Sequence, residues 1–261
     1  LRALGFAFSF TLTLGLCAFM IVPIGMSILA GITANYFVGP SGGLTLSWVQ
    51  QVLSLYLPSI VLSLMVAFTT LGIDLAAGVP FAYVLARNTG TLSRLAEELL
   101  SLPIAIPGLA IALGLIITYG TFREFRASWL FIVVGHVLFT MPFLVRSVVA
   151  VMRSIDLPVL EESAASLGAS FLQRFLGVIV PNSLGGIVAG ALMVFTLSIG
   201  EFNITWMLHT PLTKTLPVGL ADSYASMRLE VASAYTLVFF VVITPVLVAL
   251  QRFGAVRVRG T

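Results

Sequence analysis

Apolar residues in this chain come in long continuous runs rather than at the every-third-or-fourth spacing of a helix with one wet face. Six runs stand out, at about 6–30, 59–86, 98–119, 129–150, 184–208 and 231–251, and stretches such as "WLFIVVGHVLF" are apolar on every face. A hydrocarbon core about 30 Å thick takes about 20 residues of helix to cross, so each run is long enough for one passage. Strands of a membrane barrel would instead alternate apolar and polar positions over segments of about ten residues. The predicted fold class is all-α: a polytopic membrane protein with six transmembrane helices.

Composition agrees. With 59% hydrophobic and 9% charged residues, and a mean hydropathy of +1.11, the 261-residue chain has too little polar surface to cover a soluble globule. The single cysteine, Cys17, lies inside the first run, so no disulfide framework exists. No composition break or short-period repeat interrupts residues 1–261, which read as one transmembrane domain. If the N-terminus is cytoplasmic, Arg2, Arg87, Arg94, Arg146, Arg153, Arg174, Arg252, Arg257 and Arg259 fall inside, against Arg123, Arg126, Lys214 and Arg228 outside. The excess of basic residues belongs on the cytoplasmic side, which predicts both termini and the 153–181 segment there, in a multi-pass protein of a bacterial plasma (inner) membrane. The loops 33–57, about 119–128 and 209–230 then face outward, with Trp48 and Tyr56 near the headgroups. A pI near 9.4 follows from this topology and gives no reason to invoke nucleic acid.

The most polar stretch is "LPVLEESAASLGASFLQRFLGVIVPNS", Leu157 to Ser183. Asp156 is placed to cap a helix starting at Leu157 and Pro158, with Glu161 and Glu162 in its early turns. Gly168 ends that helix, and Ser170 with Gln173 has the spacing of a capping box for a second helix reaching Pro181. One use of such an element is as an interfacial connector between spans. The other is docking: Ser163, Ala164 and Ala165 allow close approach of a soluble partner, and Glu161 or Glu162 can meet a partner arginine.

Glu162-Ser163-Ala164, three residues, Gly168, nine residues, then Val178-Ile179-Val180-Pro181 resembles the E-A-A-x3-G-x9-I-x-L-P loop of permease subunits of binding-protein-dependent ABC importers. Ser163, Val178 and Val180 replace the family residues by small or conservative ones. "GVPFAYVLAR", "LPIAIPGLAIALGL", "SIGEFNITWML" and "TKTLPVGL" extend the likeness along most of the chain. The resemblance implies a type I importer permease fold. It also implies a second permease subunit, two cytoplasmic ATPase subunits carrying ATP and Mg, and an extracytoplasmic solute-binding protein. Glu161, Glu162, Ser163, Ala164, Ala165, Gly168 and Pro181 become the ATPase-coupling residues. The chain has no G-x-x-x-x-G-K-[ST] stretch, so nucleotide chemistry is expected on another chain, and this one is expected to be no enzyme and to hold no cofactor.

A gradient-driven secondary transporter or channel is the alternative, and it would show ionisable residues at mid-membrane. Asp74 lies near the middle of the second run and Glu201 in the fifth. Ser198, Glu201 and Thr205 share a helical face, with Asn203 close by. Asp74, Ser198, Glu201, Asn203 and Thr205 therefore either line a solute pathway or hydrogen-bond between helices. His136 reads as a satisfied packing histidine and His209 as an edge residue without metal partners. Pro103, Pro107 and Gly108 read as a kink, and Gly185, Gly186 and Gly190 as sites of close helix packing. No nucleophile–base pair or metal cluster is legible. Within the family, the fifth span and the loop after it resemble the branch handling polyamines, aminoalkylphosphonates, opines and ferric iron, and acids alone at mid-membrane lean toward a polyamine-type cation.

Overall fold

The computed structural model describes residues 2–258. Arg259, and the side chains of Arg2 and Arg257, lie outside the described residues, so their part in the topology count rests on sequence alone. Among the described residues every regular element is helical, save one isolated bridge between Thr33 and Leu44. The order is α1 (Arg2–Ala30), a 3-10 turn (Gly39–Gly42), α2 (Ser47–Leu55), α3 (Leu57–Arg87), α4 (Thr91–Ala105), α5 (Gly108–Tyr119), α6 (Arg123–Ala127) and α7 (Trp129–Ser154). There follow α8 (Leu157–Ser166), α9 (Phe171–Arg174), a π-helical turn (Phe175–Ile179), α10 (Val180–Asn182), α11 (Leu184–Gly200), α12 (Asn203–Leu208), α13 (Leu216–Ala225) and α14 (Leu229–Val258).

Four helices are each long and apolar enough to cross a membrane: Phe8–Ala30, Leu57–Arg87, Trp129–Ser154 and Leu229–Arg252. Two bent pairs bring the total to six if each counts as one span. The third run is α4 and α5, bent by 105°. Pro107 drives the residue before it out of helical geometry, and Ile106 is extended at φ −90°, ψ 130°. What reads as a kink in the sequence is a full break. In the second pair, Phe171–Asn182 meets Leu184–Gly200 at 74°. Pro181 has no N–H and its ring crowds the preceding turn; the helix widens just before it, where the N–H of Val180 reaches back five residues to the carbonyl of Phe175. The fifth run, expected to continue to 208, stops at Gly200 and restarts at Asn203.

The chain divides into two compact units. The first comprises residues 1–58 and 219–243. In it Gly31 lies against the backbone of α14, where a Cβ would stand 2.6 Å from the nitrogen of Ala234. Tyr56 packs on Tyr235 and its hydroxyl accepts from Arg228 at 3.1 Å, while Trp48 donates its indole N–H to the carbonyl of Thr33. None of the described side chains of α1 is buried, so its apolar surface is left to lipid or to another chain.

The second unit comprises residues 59–218 and 244–261. Its centre is α7 against α11, and small residues set that approach: a Cβ on Gly190 would lie 2.6 Å from Leu144 Cδ1, and one on Gly186 2.7 Å from the carbonyl oxygen of Ser147. The Ser147 hydroxyl donates to the carbonyl of Gly186 at 2.9 Å. Gly185 has open space around it instead. One apolar cluster joins α3, α7, α8 and α11 through Leu85, Leu144, Val148, Met152, Leu157 and Val194. A second joins α3, α5, α7 and α12 through Val66, Ala112, Phe131, Ile132 and Ile204.

Candidate functional site

The 153–181 segment folds as helix, glycine turn, helix. Gly168 sits at φ +81°, the left-handed conformation that a Cβ disfavours, and closes the end of α8. Ser170 caps α9 in a full capping box: its hydroxyl accepts from the Gln173 N–H, and the Gln173 side chain accepts from the Ser170 N–H at 2.8 Å. Asp156 occupies the N-cap position of α8, but its carboxylate makes no capping bond; the helix start is fixed by Pro158 and by the burial of Leu157.

The two adjacent glutamates have opposite fates. Glu161 is 3% exposed, with Oε1 accepting the Tyr83 hydroxyl at 2.6 Å and Oε2 lying 2.6 Å from Arg87 Nη1. It is therefore turned into the protein rather than toward a partner, which corrects the expectation that either glutamate could serve. Glu162, Ser163 and Ala165 are exposed, Ala164 is half-buried, and Leu167 beside the turn is 89% exposed. Pro181 sits in α10, the far end of the second limb. Nearby, Arg153 near the end of α7 pairs with Glu97 of α4 at 2.8 Å and also donates to the carbonyl of Leu85, bracing the end of α3.

The predicted pathway residues gather elsewhere, around α7. Asp74 is fully buried, its Oδ2 2.6 Å from the hydroxyl of Thr140, and that hydroxyl lies 2.8 Å from the carbonyl of His136. Glu201 does not lie on a continuous helical face with Ser198 and Thr205, because the helix ends before it. Its backbone is extended, and its carboxylate turns back to accept the N–H groups of Ile204 and Thr205 at 2.8 and 2.9 Å and the Thr205 hydroxyl at 3.0 Å. A helix start leaves N–H groups without partners, and this acid supplies them for α12. Asn203, at the start of α12, is exposed.

His136, which the sequence reads as a satisfied packing histidine, is satisfied at both ring nitrogens and is the hub of this cluster. Its Nδ1 lies 2.8 Å from the Ser198 hydroxyl and its Nε2 2.8 Å from that of Thr205. With the single hydroxyl proton of Thr205 on the Glu201 carboxylate, the Thr205 oxygen accepts from His136 Nε2–H, and Nδ1 pairs with the Ser198 hydroxyl. The imidazole thus links α7 to α11 and α12. At the other end of α12, Arg126 of α6 donates to the carbonyls of Leu208 and Met207 and lies over the Phe131 ring. Among the described residues no group of three or more His, Cys, Asp or Glu side chains is placed to hold a metal.

Known proteins share this architecture. The family described as "Binding-protein-dependent transport system inner membrane component" matches residues 78–259. The sulfate transport system permease protein CysW of Synechocystis sp. is 30% identical over 202 residues, 71% of this chain and 73% of that one. The molybdenum transport system permease protein ModB of Escherichia coli K12 is 28% identical over 174 residues, 61% of this chain and 76% of that one. A chain in the inward-facing crystal structure of the MetNI methionine ABC transporter superposes with a TM-score of 0.61 at 16% identity, covering 77% of this chain and 94% of that chain.

Proposed function

This chain belongs to the family of binding-protein-dependent transport system inner membrane components, and from that premise we propose that it carries a tetrahedral oxyanion of the sulfate or molybdate kind through an ATP-driven importer. It is a permease subunit; ATP hydrolysis belongs to a separate subunit. In this reading it pairs with a second permease subunit, and two cytoplasmic ATPase subunits holding ATP and Mg engage the pair while a soluble binding protein delivers solute from the outer side.

One observation carries the docking half of the reading. Glu162, Ser163, Ala165 and Leu167 form an exposed face around a glycine turn, while Glu161 anchors the same helix from behind. A small-residue surface with one exposed carboxylate suits a cleft that offers an arginine. Glu162→Lys is expected to weaken co-purification of the ATPase by about tenfold or more, since it sets like charge against like. Undiminished co-purification counts against docking through this face.

Substrate choice follows the relatives and the fate of the acids. Of the two acids that in sequence leaned toward a polyamine, Glu201 spends both carboxylate oxygens on buried hydrogen bonds, while Asp74 accepts from Thr140 through Oδ2 and its Oδ1 is buried without a hydrogen-bond partner. The relatives named for sulfate and molybdenum support an oxyanion instead. Vesicles carrying the whole importer would be offered labelled sulfate, molybdate or spermidine. Saturable ATP-dependent uptake of sulfate or molybdate is the expected result. Spermidine uptake in their place overturns the substrate, and uptake that persists without ATP overturns the ATP-driven reading in favour of a gradient.

A further inference from the structure

Both limbs of the helix–turn–helix converge on one side chain of α3. Tyr83, 6% exposed, donates its hydroxyl proton to Glu161 of the first limb at 2.6 Å, and its oxygen accepts from Arg87 Nη1 at 2.7 Å. Its ring meets Phe175 edge-on at 5.5 Å and lies 6.1 Å from Phe171, both on the second limb. Those two phenylalanines stack on each other at 6.1 Å. The glycine turn lies between the limbs, so the tyrosine fastens the element on both sides of its turn.

Arg87 alone would be a poor fastener. Its side chain is 51% exposed, and an ion pair with one partner half in solvent is weak. Glu161 is buried, and a buried carboxylate stripped of a donor is costly, so the neutral hydroxyl that fills its other oxygen matters most. Tyr83 also adds ring contacts that salt does not screen.

We propose that Tyr83 is a positioning residue that locks the 157–182 element to α3, so that a force applied at the exposed face moves α3 as a rigid body. Asp74 lies nine residues back along the same helix, about 13 Å at 1.5 Å per residue, which connects the surface element to the polar cluster of α3 and α7 through one element. The inference rests on the docking reading above for the source of the force, but the lock itself is a property of this chain.

Spin labels test it in the complete importer, in a Cys17→Ser background. Val159→Cys on the first limb or Leu172→Cys on the second is paired with Val84→Cys on α3; all three sites are exposed, and each cysteine variant is used only where the ATPase still co-purifies with it. The expected result is that both distances stay the same between nucleotide-free and ATP-trapped states. Tyr83→Phe keeps the ring and removes the hydroxyl; it should broaden the Val84–Val159 distribution and leave Val84–Leu172 narrow. It should also reduce the stimulation of ATP hydrolysis by the binding protein on the order of tenfold, as loss of a hydrogen bond to a charged group implies. ATPase co-purification should be unchanged. A distance that changes between states with Tyr83 in place overturns the proposal, as does full stimulation in Tyr83→Phe. Failure of the docking reading shows separately, as ATPase association indifferent to Glu162→Lys.

Discussion

At Glu201 a carboxylate substitutes for a missing turn of helix. The backbone leaves helical geometry at that residue, and the side chain recovers two N–H groups that the break would otherwise leave buried without acceptors. Glu201→Gln preserves size but presents an NH2 where a donor already points, so at least one of the three accepted bonds is lost. The expected cost is about 1.5–3 kcal/mol, read as a lower unfolding temperature of the purified protein together with reduced uptake. If the carboxylate served only to attract solute, uptake would fall with stability unchanged. Sequence spacing placed Ser198, Glu201 and Thr205 together, and they do meet, Glu201 directly with Thr205 and Ser198 through His136, rather than along one face. Periodicity assumes an unbroken helix, and nothing in "SIGEFN" announces that an acid would become the cap of the next one. Glu161 and Glu162 make the same point: adjacent and chemically identical, they are separated only by a tyrosine and an arginine some eighty positions earlier in the chain.

Elements were more legible than their joints. The apolar runs, the glycine turn at 168 and the Ser170–Gln173 box follow from local chemistry and are found as such. The breaks at 106–107 and 201–202 are larger than the residues alone suggest, because what they stabilise is packing against α7 and α12, a long-range matter. The interface of α7 with α11 gives a sharp local test. A Cβ on Gly186 would meet a backbone carbonyl that has no freedom to move, whereas one on Gly185, a position earlier, meets nothing. Gly186→Ala is expected to destabilise by about 1–3 kcal/mol through overpacking, while Gly185→Ala stays neutral or gains slightly from helix propensity. Thermal unfolding of the two purified variants side by side decides it; equal behaviour would mean α11 does not sit this close to α7. At the glycine turn, Gly168→Val places a β-branched residue at positive φ, with a cost of at least about 1–2 kcal/mol borne by the turn alone. It should reduce ATPase association while Gly186-dependent stability of the spans is kept.

For the molecule as a whole, the outstanding physical claim is which end faces the cytoplasm, and it rests on the nine-to-four distribution of basic residues about the runs. In the second unit Arg87 binds Glu161 of the helix–turn–helix, while Arg146 and Arg153 of α7 bind Ser101 and Glu97 of α4. Two positions report the sidedness without disturbing these contacts. Leu167 is 89% exposed beside the glycine turn, and Phe37 is 81% exposed in the loop after α1. In a Cys17→Ser background, Leu167→Cys is expected to react with an impermeant thiol reagent only from the cytoplasmic side, and Phe37→Cys only from the outside. Because Leu167 lies on the proposed docking face, its labelling should also slow when the ATPase is bound, while that of Phe37 does not. Reversed sidedness would place the helix–turn–helix where no ATPase can reach it and remove the coupling role; correct sidedness with no protection would keep the topology and move the ATPase contact to another surface.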